Sequence, residues 1–147
     1  MGQPTSFSET MLEKHEFLSW LGIEIESAKD GHVVLTLEHR DEFTNVGSEA
    51  IHGGITASLI DNAAGTALRS MLACPEQTPH STIDLDISFI RPAGGDLRAE
   101  ANTIRVGETV GVVQVEVTSV APDGARKIVA TGKATMHIGD RPERGSS

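Results

Sequence analysis

From Ile51 to Leu72 the chain reads IHGGITASLIDNAAGTALRSML, a run with the length and periodicity of one long helix. On a wheel of about 100° per residue, Ser58, Asn62, Thr66 and Arg69 fill one narrow polar wedge. Leu59, Ile60, Ala63, Ala64, Ala67, Leu68 and Met71 occupy most of the rest. A helix apolar most of the way round is buried on most sides. Asp61 falls outside the wedge, between Leu68 and Leu72. An ionised carboxylate sunk there without partners costs several kcal/mol. A hydrogen bond, a cation or a retained proton must offset that cost, and an acid so placed is a candidate for chemistry. The plainer alternatives are a bond to nearby backbone or a wet boundary between subunits.

The rest of the pattern surrounds this helix with strands. SETMLEKHEFLSWLG has helical spacing at Met11, Leu12, His15, Leu18 and Leu21, with Ser8 able to cap its start and Gly22 its end. Ile23 and Ile25 predict a short strand, KDG a turn and HVVLTLEH a second strand. RDEFTNVGSEA reads as a polar loop. Beyond the helix the period becomes two. In TIDLDISFIRP, Ile83, Leu85, Ile87 and Phe89 share one face, and Thr82, Asp84, Asp86 and Ser88 the other. DLRAEANTIRV, TVGVVQVEVTSV and ARKIVATGKATMHI follow as strands. The last should have Ile128, Ala130, Ala134, Met136 and Ile138 on one side. Tight turns among the last four strands predict antiparallel pairing of neighbours. The order lacks βαβ alternation, so an α+β fold with one antiparallel sheet against one helix is expected.

Composition narrows the classes. At 147 residues one domain is expected, over 8–139, with flexible ends at 1–7 and 140–147. There is no Tyr and one Trp, so the core is aliphatic. A net charge of −9 without a Lys/Arg run argues against nucleic acid. A single cysteine, Cys74, permits no internal disulfide and no Cys-based metal site, and fits a cytoplasmic setting. No apolar run approaches the roughly 20 residues of a membrane span, and the first residues lack the pattern of a secretory signal.

His52-Gly53-Gly54 stands where the helix begins. The first N–H groups of a helix lack internal partners and carry partial positive charge, and glycine lets a ligand oxygen come close. Such a start can hold an oxyanion, although a Gly pair more often only turns a loop into a helix. His52 could act as a base; a ring that bonds backbone and fixes the loop is the favoured reading.

HGGITASLIDN, with Asp seven residues after the second Gly and Asn next to it, resembles the hotdog-fold acyl-CoA thioesterases of the phenylacetic-acid-degradation (PaaI) type, in the 4-hydroxybenzoyl-CoA thioesterase-like superfamily. TIDLDISFIRPAGG is similar to that family's strand ending in F-x-R-P-A, and ATGKATMHI to its last strand. The likeness spans roughly Leu21 to Ile138. It implies a hotdog fold, in which a curved antiparallel sheet wraps one long helix. It also implies a homodimer with the active site at the boundary, and a homotetramer of such dimers. By that resemblance the Gly53 N–H of one subunit, beside Gly54, polarises the thioester carbonyl. Asp61 of the other acts as general base or nucleophile. Thr82 is the hydroxyl residue near the acid, with Ser81 turned to the opposite face. Asn45 is the loop amide, one residue further from His52 than in the pattern. Arg91 meets a coenzyme A phosphate or caps the sheet edge. No metal and no cofactor beyond the substrate's own coenzyme A are implied. Two rivals remain: an acyl-thioester hydratase or dehydratase using His52 and Asp61, and a non-catalytic acyl-CoA-binding module. The acyl group itself is not legible.

Overall fold

The computed structural model describes residues 7–140; of the flexible ends expected at 1–7 and 140–147, residues 1–6 and 141–147 lie outside the described residues. The chain opens with α1 (Phe7–Lys14) and α2 (Glu16–Leu21), two helices where periodicity predicted one. His15 separates them: its backbone is extended, and its Nδ1 accepts the Leu18 N–H, capping α2. Gly22 ends α2 at φ 75°, the left-handed conformation a helix stop favours. Ser8 is not a cap; it lies inside α1.

Six strands follow: β1 (Glu24–Lys29), β2 (His32–Leu37), β3 (His80–Phe89), β4 (Leu97–Val106), β5 (Val110–Val120) and β6 (Arg126–Ile138). The long helix α3 (Gly53–Met71) stands between β2 and β3. All strand pairs are antiparallel, in the order β1-β2-β4-β5-β6-β3. The expectation that each of the last four strands pairs its neighbour holds for β4–β5 and β5–β6 and fails for β3. That strand crosses the whole sheet to pair with β6, and β4 joins β2 instead. The result is the sheet wrapped round one helix that the hotdog resemblance implies.

The core forms where α3 presses on the sheet. Leu59, Ile60, Ala63, Ala64, Ala67 and Leu68 are fully buried against Leu35, Ala99, Ala101, Val113, Val117, Ala130 and Ala134. Each large aliphatic side chain so buried contributes about 1.5–3 kcal/mol. Glycines bring the layers together. A Cβ at Gly111 would stand 2.6 Å from Leu68 Cδ1, and one at Gly132 2.9 Å from Ile60 Cγ2.

Two register shifts change which side chains face in. Between Thr82 and Asp84 the pairing with β6 slips by one, leaving Ile83 as an extra residue. Thr82, Leu85 and Ile87 therefore lie opposite Met136, Ala134 and Gly132, on the helix side, while Ile83 is 59% exposed. Strict alternation had put Thr82 on the other face. The slip between Val117 and Thr118 likewise buries Val129 and leaves Ile128 at the surface, against the alternating expectation.

The polar loop before α3 is pinned by one apolar residue. Phe43, in a single 3-10 turn (Asp41–Phe43), is fully buried. The Arg40 guanidinium lies 4.1 Å from the Phe43 ring centroid and 5.0 Å from that of Trp20, and it also bonds the Trp20 carbonyl. The Phe43 carbonyl in turn accepts the His52 N–H at 2.7 Å, which places the start of α3.

Candidate active site

Asp61 is not sunk in hydrocarbon. It is partly buried, in a groove it shares with Asn62, while Leu68, two turns further along the same face, is wholly buried. The polar wedge, by contrast, is not the solvent face. Thr66 is buried, and Arg69 tucks under the N-terminal helices. Thr82 Oγ1 donates to Asp61 Oδ1 at 2.6 Å, the short distance of a bond to a charged acceptor. The bulge at Ile83 makes this contact possible by turning Thr82 inward. Ser81 pairs with His137 and points the other way.

Asp61, Thr82, Asn62, Gly65, Arg69 and His80 share a groove of about 380 Å³, roofed by apolar side chains of α1 and α2. Arg69 and His80 escaped the sequence reading. The available signals were Arg69 two helical turns after Asp61 and His80 two positions before Thr82. Arg69 Nη1 donates to His80 Nε2 at 3.0 Å. Burial, and then the Arg69 charge, hold the His80 imidazole below its usual 6.5; a hydrogen bond to the Thr78 backbone and the Asp61 carboxylate pull the other way. Burial also lowers Arg69 from its ordinary value.

A second groove, about 420 Å³, opens at the start of α3 and is lined by Asn45, Gly53, Phe89, Ile90 and Arg91. His52 caps the helix: its Nδ1 accepts the Gly54 N–H at 2.9 Å, and its carbonyl accepts those of Ile55 and Thr56. The Gly53 N–H meets no acceptor among the described residues. A Cβ at Gly53 would stand 3.2 Å from the Phe89 ring. Asn45 closes a turn, with its N–H on the Ala50 carbonyl and its carbonyl on the Ser48 N–H. Its side chain is exposed, as is that of Arg91.

The structure thus joins Asp61 to Thr82 in one place and gathers Gly53, Asn45 and Arg91 in another. Gly53 and Asp61 are about 12 Å apart along the axis of α3. A further depression, about 460 Å³, lies elsewhere, on the outer face of the sheet among Asp86, Glu100, Gln114, Glu116 and Lys133. It has neither a helix start nor an acid held by a hydroxyl. Among the described residues, no three His, Cys, Asp or Glu side chains gather as a metal site requires, and no helix is long and apolar enough to cross a membrane.

This architecture and these sequence patterns recur in known proteins. The thioesterase superfamily profile matches residues 49–123, which include all of α3 and β3. A Halobacterium salinarum protein provisionally named an esterase is 40% identical over 134 residues, covering 88% of this chain and 89% of its own. Homo sapiens acyl-coenzyme A thioesterase 13 is 32% identical over 137 residues, covering 90% and 91%. Among solved structures, the E. coli PaaI protein from the phenylacetic acid degradation operon superposes with a TM-score of 0.77 at 27% identity, covering 91% of each chain. The chain therefore belongs to the thioesterase superfamily and is a hotdog-fold thioester hydrolase.

Proposed function

We propose that this protein hydrolyses acyl-CoA thioesters to free acid and coenzyme A, at sites shared between two copies of the chain. One copy offers the Gly53 N–H to the thioester carbonyl oxygen, with the positive end of α3 behind it. The other offers Asp61. Asp61 either takes a proton from the water that adds to the carbonyl or attacks the carbon itself. On both routes the acyl–sulfur bond breaks, an acyl–oxygen bond forms, and coenzyme A leaves as the thiol. Thr82 holds one carboxylate oxygen and leaves the other to act.

One observation carries the shared site: the groups needed at one carbonyl lie in two grooves beside opposite ends of β3. Thr82 is near the start of that strand and Phe89 at its end. β3 is an edge strand bearing exposed Ile83 and Phe89, followed by exposed Ile90. Pairing two such edges antiparallel brings the Asp61 end of one copy to the Gly53 end of the other. The opposite edge, β1, carries Glu24, Glu26 and Lys29, charges of the kind that discourage edge pairing.

The proposal extends to Asn45 as a hydrogen-bonding partner of the reacting group and Arg91 as a contact for a coenzyme A phosphate. Both line the Gly53 groove. It uses no cofactor, places the protein in the cytoplasm, and includes further assembly of dimers into a tetramer. A hydratase would need His52 as a base, yet its Nδ1 already accepts the Gly54 N–H. An acid fixed at 2.6 Å by a hydroxyl also suits reaction better than passive binding.

Complementation tests the reading. Asp61→Ala and Gly53→Pro are each expected to abolish thiol release. Proline suits the first helical position, and His52, at φ −58° and ψ 134°, suits the residue before it. Co-expressed as a mixed dimer, the two rebuild one whole site, giving about half the wild-type activity per dimer. A mixed dimer as inactive as its parents would show that each site lies within one chain.

A further inference from the structure

Arg69 carries a charge that the proposed hydrolysis does not use. Its Nε donates to Ser8 Oγ, Nη1 to His80 Nε2 and Nη2 to Thr66 Oγ1, each at 3.0 Å. All three acceptors are uncharged. Ion pairs among the described residues join His32 to Glu100 and Arg98 to Glu26 and Glu100, and none involves Arg69. A partly buried guanidinium that meets no counter-anion among the described residues is costly to hold, and two of its five N–H groups meet no acceptor among them.

Its place gives that charge a direction. Arg69 lines the same groove as Asp61 and Thr82. Its Nη1 lies 3.5 Å from where a Gly65 Cβ would be, so the guanidinium reaches back over Gly65, one turn beyond Asp61. That turn is about 6 Å along the helix axis. The neighbouring histidine adds no acceptor. Arginine can only donate, so His80 Nε2 is the accepting nitrogen, and Nδ1 carries the proton. Gly65 lies between Asp61 and Arg69 on α3, and Met136, Leu18, Met11 and Leu12 also line the groove, together with Asn62 and His15. Beside the reacting acid the groove thus has a largely apolar wall, and at Arg69 it holds hydrogen-bond donors that bear a positive charge.

We propose that Arg69 closes an acyl subsite and binds a carboxylate at the far end of the acyl chain, so that the substrate class is coenzyme A thioesters of short dicarboxylic acids. This rests on the thioesterase reading of Asp61. The helices α1 and α2 roof the subsite, and Ser8, Thr66 and His80 hold the guanidinium in place while two N–H groups stay open to the ligand.

The test compares adipyl-CoA with hexanoyl-CoA, equal in chain length and different in the terminal carboxylate. For the wild type, kcat/KM is expected to favour adipyl-CoA by about ten-fold or more, as for a charge-assisted hydrogen bond. In Arg69→Met the ratio falls to one or below; in Arg69→Lys it is intermediate. A wild-type ratio at or below one overturns the proposal. So does an Arg69→Met protein that loses rate on both substrates with the ratio preserved, which would make Arg69 a structural clamp. Binding of non-hydrolysable thioether analogues of the two substrates to the wild type, followed by calorimetry, separates this subsite from the reaction. If no thioester is hydrolysed, the hydrolase reading fails; tighter binding of the adipyl analogue would still support the anion subsite, and equal binding would overturn it.

Discussion

At Asp61 the carboxylate has two oxygens in different situations. Oδ1 receives the Thr82 hydroxyl, and Oδ2 has no hydrogen-bond partner among the described residues. Asp61→Asn is therefore expected to lower the rate of thiol release by roughly 10² to 10⁴, the scale of a general base. Its melting temperature should stay within a few degrees of the parent, since the site is only partly buried. Thr82→Val, which keeps shape and removes the donor, should cost about ten- to a hundred-fold in kcat, and Thr82→Ser should recover most of it. A Val variant with parental kcat would remove Thr82 from the mechanism. His80 supplies a different signature. It faces Arg69 and Asp61 from α3, with His15 lining the same groove, and its folded state resists protonation. Below the usual histidine value of 6.5 the unfolded chain then binds more protons than the folded one, so stability falls as pH falls through that range. Denaturation midpoints measured between about pH 7.5 and about pH 5 should decline less in His80→Gln than in the parent.

Single positions decide whether α3 seats on the sheet. Gly111→Ala sets a methyl 2.6 Å from Leu68 Cδ1 in a fully packed layer, and an expected loss of about 1–3 kcal/mol should be visible in urea unfolding. Gly65→Ala makes the opposite case. Its methyl would meet Arg69, Met136 and His80 at 3.5–3.8 Å, ordinary contact distances, and helix interiors favour alanine by about 0.5–1 kcal/mol. Equal destabilisation by both would contradict this account of the packing. The strands show why pattern alone was insufficient at this scale. Alternation in TIDLDISFIRP is unbroken, so nothing in it announces an extra residue at Ile83. The bulge arises because β3 must match β6, whose paired residues there are more than fifty positions away. The same holds for Val129 and Ile128 in β6, whose register answers to β5.

For the whole molecule, the unpaired edge of β3 is the feature with the widest consequences. Ile83→Lys places a charge on that edge without touching the buried core. It is expected to split the β3-paired dimers, lowering the mass seen by light scattering to half or less, and to abolish thiol release, with the far-ultraviolet dichroism unchanged. An active monomer would defeat the shared-site reading. Much of this protein was determined by its sequence: the existence of α3, five of the six strands nearly to their ends, the glycine turns and the aliphatic core. These follow from local period and backbone freedom, which a few neighbouring residues set. Only the tertiary structure decided that β3 pairs with β6, that a bulge at Ile83 is what turns Thr82 to Asp61, that His15 splits the first helix, and that Arg69 and His80 enter the groove. Each depends on which distant segment fills the space beside a residue, and that choice belongs to the packing of the whole chain.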